Sequence, residues 1–262
     1  MNIFARWRIR RSRDNPEAVY ISEKFGVRSL HIGSDTIQSS MRIARPNDLE
    51  LSYTRSMMGF LLFNDQAGRV LMIGLGGGSL AKFIYHRLPQ ATTTVIEINP
   101  HVAAIARGYF DVPQDCARLA VIIGDGAEYT ARDGDGVDVV VVDGYDAESH
   151  VEALSNQAFY LACHRRLNAR GILVVNLWGS DRRFNEILQR IEAAFPEGTV
   201  CLPAEKPGNI IVFAFRDRPG PLLWDELEQR ARSLQERYGL EFPQFVASLR
   251  KMNRHDEYQL LV

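Results

Sequence analysis

The sequence is poor in the residue patterns that build metal centres and covalent frameworks. Its three cysteines, Cys116, Cys163 and Cys201, are odd in number and widely spaced, which excludes a paired disulfide framework and the close spacing of a zinc site. Its six histidines include no His-x-His or His-Glu-x-x-His pair, so no metal is expected. Excess charge is also absent. Basic and acidic residues number 31 and 32, for a formal net charge of −1, so no global field suggests nucleic acid or a membrane as partner. No apolar run is long enough to cross a bilayer, and no signal-peptide core follows the first arginines. A reducing cytoplasm is the expected location. The local exception in charge is Arg6, Arg8, Arg10, Arg11 and Arg13, read as a solvated, partly disordered chain start. What the chain does have is 46% hydrophobic residues within 262, enough for one large domain with an appendage.

The most informative stretch is Val70-Leu71-Met72-Ile73-Gly74-Leu75-Gly76-Gly77-Gly78. An apolar strand runs into a glycine cluster, and a helical pattern follows with Leu80, Phe83, Ile84 and Leu88, ending at Pro89. The next apolar run, Thr94-Val95-Ile96-Glu97, ends on a carboxylate. Strand, glycine turn, helix and strand with a terminal acid form the first half of a doubly wound sheet that binds a nucleoside across its strand ends. Gly74, Gly76 and Gly78 give Gly-x-Gly-x-Gly, with Ser79 in the slot of the last glycine of the dinucleotide pattern. That spacing favours an S-adenosyl sulfonium nucleoside over NAD.

Short β-type runs at 18–22, 27–32 and 36–43, separated by Gly26, Gly33, Ser34 and Asp35, predict a small antiparallel β appendage. Apolar Tyr53, Met57, Phe60 and Leu61 predict one amphipathic helix over 49–62. Strands are expected at 70–73, 93–97, 119–123, 138–142, 171–177 and 209–215, and helices at 79–87, 100–108, 125–131, 155–167 and 181–194. The valine run at 139–142 suits a strand buried on both faces of a parallel sheet, and the alternation means α/β architecture. Helical patterns at 222–238 and 245–252 follow Pro219-Gly220-Pro221. The expected division is an appendage at 1–48, a Rossmann-like nucleoside-binding domain at 49–218 and a helical extension at 219–262.

Two further acidic motifs close predicted strands. Asp143-Gly144-Tyr145-Asp146 follows the valine run, and Asp125-Gly126 follows Leu119-Ala120-Val121-Ile122-Ile123-Gly124. Open α/β sheets bind ligands at this edge. Asp125 is read both as an acceptor for the adenine amino group and as a helix N-cap, with Glu128 at capping-box spacing. A carboxylate such as Asp143, partly desolvated beside a sulfonium, is placed to take the proton of an attacking amine.

With these residues in place, the chain resembles the spermidine synthase family, the polyamine aminopropyltransferases, over roughly residues 18 to 215. The resemblance implies a class I methyltransferase-like Rossmann domain behind a small N-terminal antiparallel β domain. It also implies decarboxylated S-adenosylmethionine as co-substrate, a small-molecule amine as acceptor and a homodimer. Residue by residue, Gln38 resembles the family's glutamine at the nucleoside donor, and Tyr53 its tyrosine that orients the acceptor amine. Gly74, Gly76, Gly77 and Gly78 fall in the glycine loop, Glu97 at the ribose-binding acid and Asp125-Gly126 at the adenine side. Asp143 falls at the general base and Asp146 at the amine-binding acid.

Three positions depart from the family pattern. Gly77 stands where the family keeps an aspartate that holds the donor's aminopropyl ammonium; Ala147 replaces a proline; and Lys206, beside Glu205, stands near the tyrosine that lines the amine pocket. Loss of the acid at Gly77 removes a charge-assisted hydrogen bond of about 1.5–3 kcal/mol and the repulsion that would exclude S-adenosylmethionine itself. Three readings therefore stay open: an aminopropyltransferase, an S-adenosylmethionine-dependent methyltransferase on the same scaffold, and a nucleoside-binding homologue without turnover.

Overall fold

The computed structural model describes residues 18–144, 152–205 and 208–262. Asp146, Lys206 and the arginine-rich start lie outside the described residues. Strands β1 (Val19–Lys24), β2 (Val27–Ile32) and β3 (Ile37–Arg42) form an antiparallel sheet in that order. Gly26, at φ +76, sits in the β1–β2 turn, a left-handed conformation that costs little without a Cβ. Leu30 and Met41 from this sheet bury themselves against Val102 and Phe110.

The expected single helix over 49–62 is instead a short α-helix, α1 (Ser52–Met57), that tightens into a 3-10 helix over Met58–Leu62. Every residue of Met58–Leu62 is buried, so this stretch has no solvent face. A Cβ on Gly59 would meet Phe213 Cζ at 3.0 Å and Leu202 Cδ2 at 3.1 Å, so the segment lies against the sheet at close quarters.

Strands and helices then alternate through β4 (Arg69–Ile73), α2 (Ser79–Arg87), β5 (Thr92–Glu97), α3 (Pro100–Tyr109), β6 (Leu119–Ile123), α4 (Gly126–Ala131), β7 (Val137–Val142), α5 (Gln157–Arg166), β8 (Leu167–Trp178) and α6 (Phe184–Ala194), and a final hairpin pairs β9 (Thr199–Pro203) with β10 (Asn209–Phe215). They build a seven-stranded sheet of order β6-β5-β4-β7-β8-β10-β9, parallel except for β10, which is antiparallel to β8 and β9. One face carries α1, α2, α7 (Trp224–Tyr238) and α8 (Phe242–Met252) on a core that includes Val139, Val141, Ile172 and Val174. The other carries α5 and α6 on Val140, Val142, Leu173 and Val175. Adjacent valines thus point into opposite cores, as a strand buried on both faces requires.

The boundaries move for local reasons. Helices expected from 125 and 155 begin at Gly126 and Gln157, because Asp125 and Asn156 act as N-caps. The helix expected from 181 begins at Phe184, after a turn in which the Phe184 amide bonds the Asp181 carbonyl. β8 runs longer than expected, through an irregular register near Val137 and a positive φ at Arg170. β9 was not expected from the sequence; it is short and ends on Pro203, which an edge strand tolerates. Another unexpected pair is β11 (Leu222–Leu223) with β12 (Gln259–Leu260).

Lys82 of α2 is fully buried and ties the two sheets together. Its ammonium donates to the carbonyls of Pro46 and Phe110, both at 2.6 Å, and reaches the Met41 sulfur at 3.1 Å. Burial lowers its pKa from 10.5 to about 8, partly opposed by Asp111. The unfolded chain therefore holds more protons than the fold between about pH 8 and 10.5, and stability gains from this residue as pH rises through that window. Urea denaturation of the wild type and Lys82→Met should show the difference in stability moving toward the wild type by about 3 kcal/mol from neutral pH to pH 10. A pH-independent difference would remove the buried charge from the account.

Candidate active site

The C-terminal edge of the parallel strands gathers Gly74, Glu97, Asp125 and Asp143, and α1 and β3 bring Tyr53 and Gln38 to it. Ladder bonds extend past the strand ends and fix the loops: Gly74 N–H donates to the Ile96 carbonyl at 2.9 Å, Asp143 N–H to Ile73 at 3.0 Å and Gly124 N–H to Glu97 at 3.0 Å. Gly74 adopts φ +94, and a Cβ there would sit 2.5 Å from the Asp143 carbonyl oxygen. The glycine loop and the Asp143 loop therefore touch backbone to backbone, which only glycine allows. Gly76 also takes a positive φ, and Gly78 opens α2 without a side-chain cap. The glycine of Asp125-Gly126 has a packing reason of its own, since a Cβ would lie 2.3 Å from Ile73 Cγ2.

Glu97 lies at the tip of β5, buried at 6% exposure. Its Oε2 accepts from Leu75 N–H at 2.9 Å and its Oε1 from Asn99 N–H at 2.8 Å. The acid therefore clamps the glycine loop to its own strand end. Burial raises its pKa, with the amides of Asn99, Leu75, Gly76 and Ile98 pulling the other way. Asp125 caps α4 through Oδ1, which accepts from Ala127 N–H at 2.7 Å and Glu128 N–H at 2.9 Å. The capping box is only half formed, because Glu128 turns to Arg132 at 3.4 Å rather than back to the Asp125 amide. Ile98, 70% exposed beside Glu97, adds an apolar surface that the sequence reading passed over.

Asp143 is held from two sides. Asn176 Nδ2 donates to its Oδ1 at 2.8 Å, and the Tyr53 hydroxyl lies 3.2 Å from its Oδ2. The same hydroxyl lies 3.3 Å from the Gln38 carbonyl, so its one proton is shared between two acceptors. Gln38 meets Tyr53 through its backbone. Burial pushes the Asp143 carboxyl up against the opposing bonds from Asn176 and Tyr53. Burial and the neighbouring carboxylate also raise the Tyr53 phenol well above its ordinary value, so it remains a donor. Asn209 Nδ2 continues the chain to Asn176 Oδ1 at 2.9 Å. Asn176 was missed from sequence, although a lone amide in the apolar run Ile172 to Leu177 is a usable signal.

Beside Gly77 the space is filled. A Cβ there would lie 2.7 Å from Ser39 Oγ and 2.9 Å from Phe110 Cδ1. Glu205 is engaged by Arg55 of α1 at 3.1 Å, and Arg55 also reaches Glu241 at 2.6 Å.

Comparison with known proteins agrees with this frame. The model of the spermine/spermidine synthase domain matches residues 50–217. A polyamine aminopropyltransferase of Chromobacterium violaceum is 42% identical over 257 residues, 98% of this chain and 98% of that protein. A probable spermidine synthase from Corynebacterium glutamicum superposes with a TM-score of 0.69 at 19% identity, covering 93% of this chain and 95% of that one. Human methyltransferase-like protein 13, solved in complex with SAH, superposes with a TM-score of 0.63 at 24% identity, covering 79% and 96%. The chain belongs to the spermine/spermidine synthase family.

Proposed function

We propose that the protein is an aminopropyltransferase that moves the aminopropyl group of decarboxylated S-adenosylmethionine to a polyamine or other small amine. The observation that carries this reading is the chain Tyr53–Asp143–Asn176 at the strand edge, one loop away from Glu97. The 42% identity to a relative named for this activity supports it. Glu97 accepts from the ribose hydroxyls, Asp125 Oδ2 from the adenine amino group, and the tightly packed loop of Gly74, Gly76, Gly77 and Gly78 presents its backbone to the nucleoside. Gln38 and Gly126 shape the same pocket. The sulfonium donor supplies an electrophilic carbon. Tyr53 orients the acceptor nitrogen and Asp143 takes its proton as the new N–C bond forms and the C–S bond breaks, leaving a neutral thioether. Asp146 and Lys206 belong to the acceptor side of this proposal. The proposal also includes the three-part division of the chain, the homodimer and the cytoplasmic location that the resemblance and composition imply.

A second reading, transfer of a methyl group from S-adenosylmethionine, is kept by the missing acid at Gly77. Incubation with decarboxylated S-adenosylmethionine and a panel of amines, with mass detection of methylthioadenosine and the extended amine, separates the two. Turnover only with the carboxylated donor would overturn the proposal.

The pH dependence has a definite sign. Both Asp143 and Glu97 act ionised, and both have raised pKa values. With donor saturating, kcat should fall on acidification around a midpoint above the ordinary aspartate value of 3.8, while the affinity for methylthioadenosine falls separately as Glu97 protonates. A kcat flat down to that ordinary value would remove Asp143 as the base.

A further inference from the structure

β8 alternates between the two cores. Ile172 and Val174 pack on the α1 side, and Leu173, Val175 and Leu177 on the other. Asn176 and Trp178 therefore share the face of Tyr53 and Asp143. Asn176 touches Asp143, and Trp178 stands one pleat further out, about 6.6 Å along the strand. It is 46% exposed, unlike the buried residues Gly171 to Leu177 before it.

One edge of the indole is fixed by the protein. Trp178 pairs in register with Asn209 of β10, and the Gly179 amide bonds the Gly208 carbonyl at 2.5 Å. A Cβ on Gly208 would fall 2.7 Å from Trp178 Cη2 and 2.9 Å from its Cζ3. Gly208 has φ +133 and, lacking a Cβ, leaves room for the benzo edge of the ring against bare backbone. The remaining ring surface is what solvent meets, on the sheet face that also carries Asn176.

We propose that Trp178 is a specificity-determining residue of the acceptor site, its indole face holding the far ammonium of a diamine whose near nitrogen lies at Asp143. The inference rests on the aminopropyltransferase reading. The offset along β8 is spanned by a chain of about four methylenes at ordinary bond lengths. An indole face attracts an ammonium through its quadrupole and packs the methylenes as well. An amine without the second charge gains only the packing.

The test compares 1,4-diaminobutane with n-butylamine under saturating decarboxylated S-adenosylmethionine, for the wild type, Trp178→Phe and Trp178→Leu. Trp178→Leu should raise KM for the diamine about 2- to 30-fold, with kcat for both amines and KM for n-butylamine nearly unchanged. Trp178→Phe should fall between, since a phenyl face binds cations more weakly, and it preserves a test should the leucine variant misfold. Methylthioadenosine affinity should stay at the wild-type value in both. An equal rise in KM for both amines, or no rise for either, overturns the proposal while leaving the aminopropyltransferase reading in place. A wild type that extends no amine overturns that reading and the role of Trp178 with it.

Discussion

Asp143→Asn should cut kcat by about 10²–10⁴-fold and leave methylthioadenosine binding within a few-fold of wild type. The substitution keeps the shape and most of the hydrogen bonding. The amide oxygen still accepts from Asn176, now 2.8 Å from Oδ1, and the new amide nitrogen can donate to the Tyr53 oxygen, now 3.2 Å from Oδ2. What disappears is the basic lone pair. Folding should not suffer, because burial holds the native carboxyl above its usual pKa, which means that its ionised form costs stability at neutral pH. Thermal unfolding of the variant should therefore be unchanged or slightly higher. Tyr53→Phe should act through the same atom but less severely, since Asn176 still holds the other oxygen. Stopped-flow turnover alongside calorimetric nucleoside binding decides the matter. Wild-type kcat in Asp143→Asn would show that the amine loses its proton to solvent or to another group.

The division between what the sequence disclosed and what it hid follows the range of the interactions. Gly74, Glu97 and Asp125 were legible because each lies at a strand end in a strand–turn–helix unit, and the ladder bonds that fix them run between neighbouring strands of a parallel sheet. The strand positions followed from the alternation of strands and helices, apart from β9, a five-residue edge strand that ends on Pro203 and runs into β10 with no helix between. Asn176 was hidden because its meaning depends on β7–β8 register: Val142 pairs with Val175, and only that places the next residue of each strand side by side. Lys82 sits in a helix whose apolar spacing was read correctly, yet its burial arises from the N-terminal sheet closing over it. The Tyr53–Asp143 contact joins α1 to the end of β7, and resemblance pointed to that pair where periodicity could not. The 3-10 turn that follows α1 reads in the sequence as more of the same helix because apolar residues recur there. The structure shows that they recur on every side.

Restoring the family's acid by Gly77→Asp should fail to improve donor binding, and should destabilise the protein by about 1–3 kcal/mol from overpacking alone, with more from burying an unpaired charge. Gly77 has no positive φ, so the backbone would accept a side chain. The obstacle is steric. A Cβ would lie 2.7 Å from Ser39 Oγ, 3.1 Å from Ser39 Cβ and 2.9 Å from Phe110 Cδ1. Ser39 is itself buried at 5% exposure, 3.4 Å from the Ser79 hydroxyl at the start of α2, and Phe110 is fully buried under the N-terminal sheet. Ser39 and Phe110 thus occupy the space that a side chain at this position would need, and a single substitution should not gain the contact. Ser39→Gly combined with Gly77→Asp removes both serine contacts of the new Cβ and leaves the contact with the edge of Phe110. The pair should recover stability relative to Gly77→Asp, with a coupling of about 0.5–3 kcal/mol. The double variant should also prefer decarboxylated S-adenosylmethionine over methylthioadenosine by about 10- to 150-fold, the worth of one charge-assisted hydrogen bond, whereas the wild type should distinguish them less. Urea denaturation gives the stability terms and calorimetric titration of both ligands the binding terms, each for the wild type, Gly77→Asp, Ser39→Gly and the double variant. A wild type that already prefers the charged donor by that margin would mean that another acid holds its ammonium. Gly77→Asp that binds the charged donor more tightly without loss of stability would show that Ser39 and Phe110 yield, and that the loop is open after all.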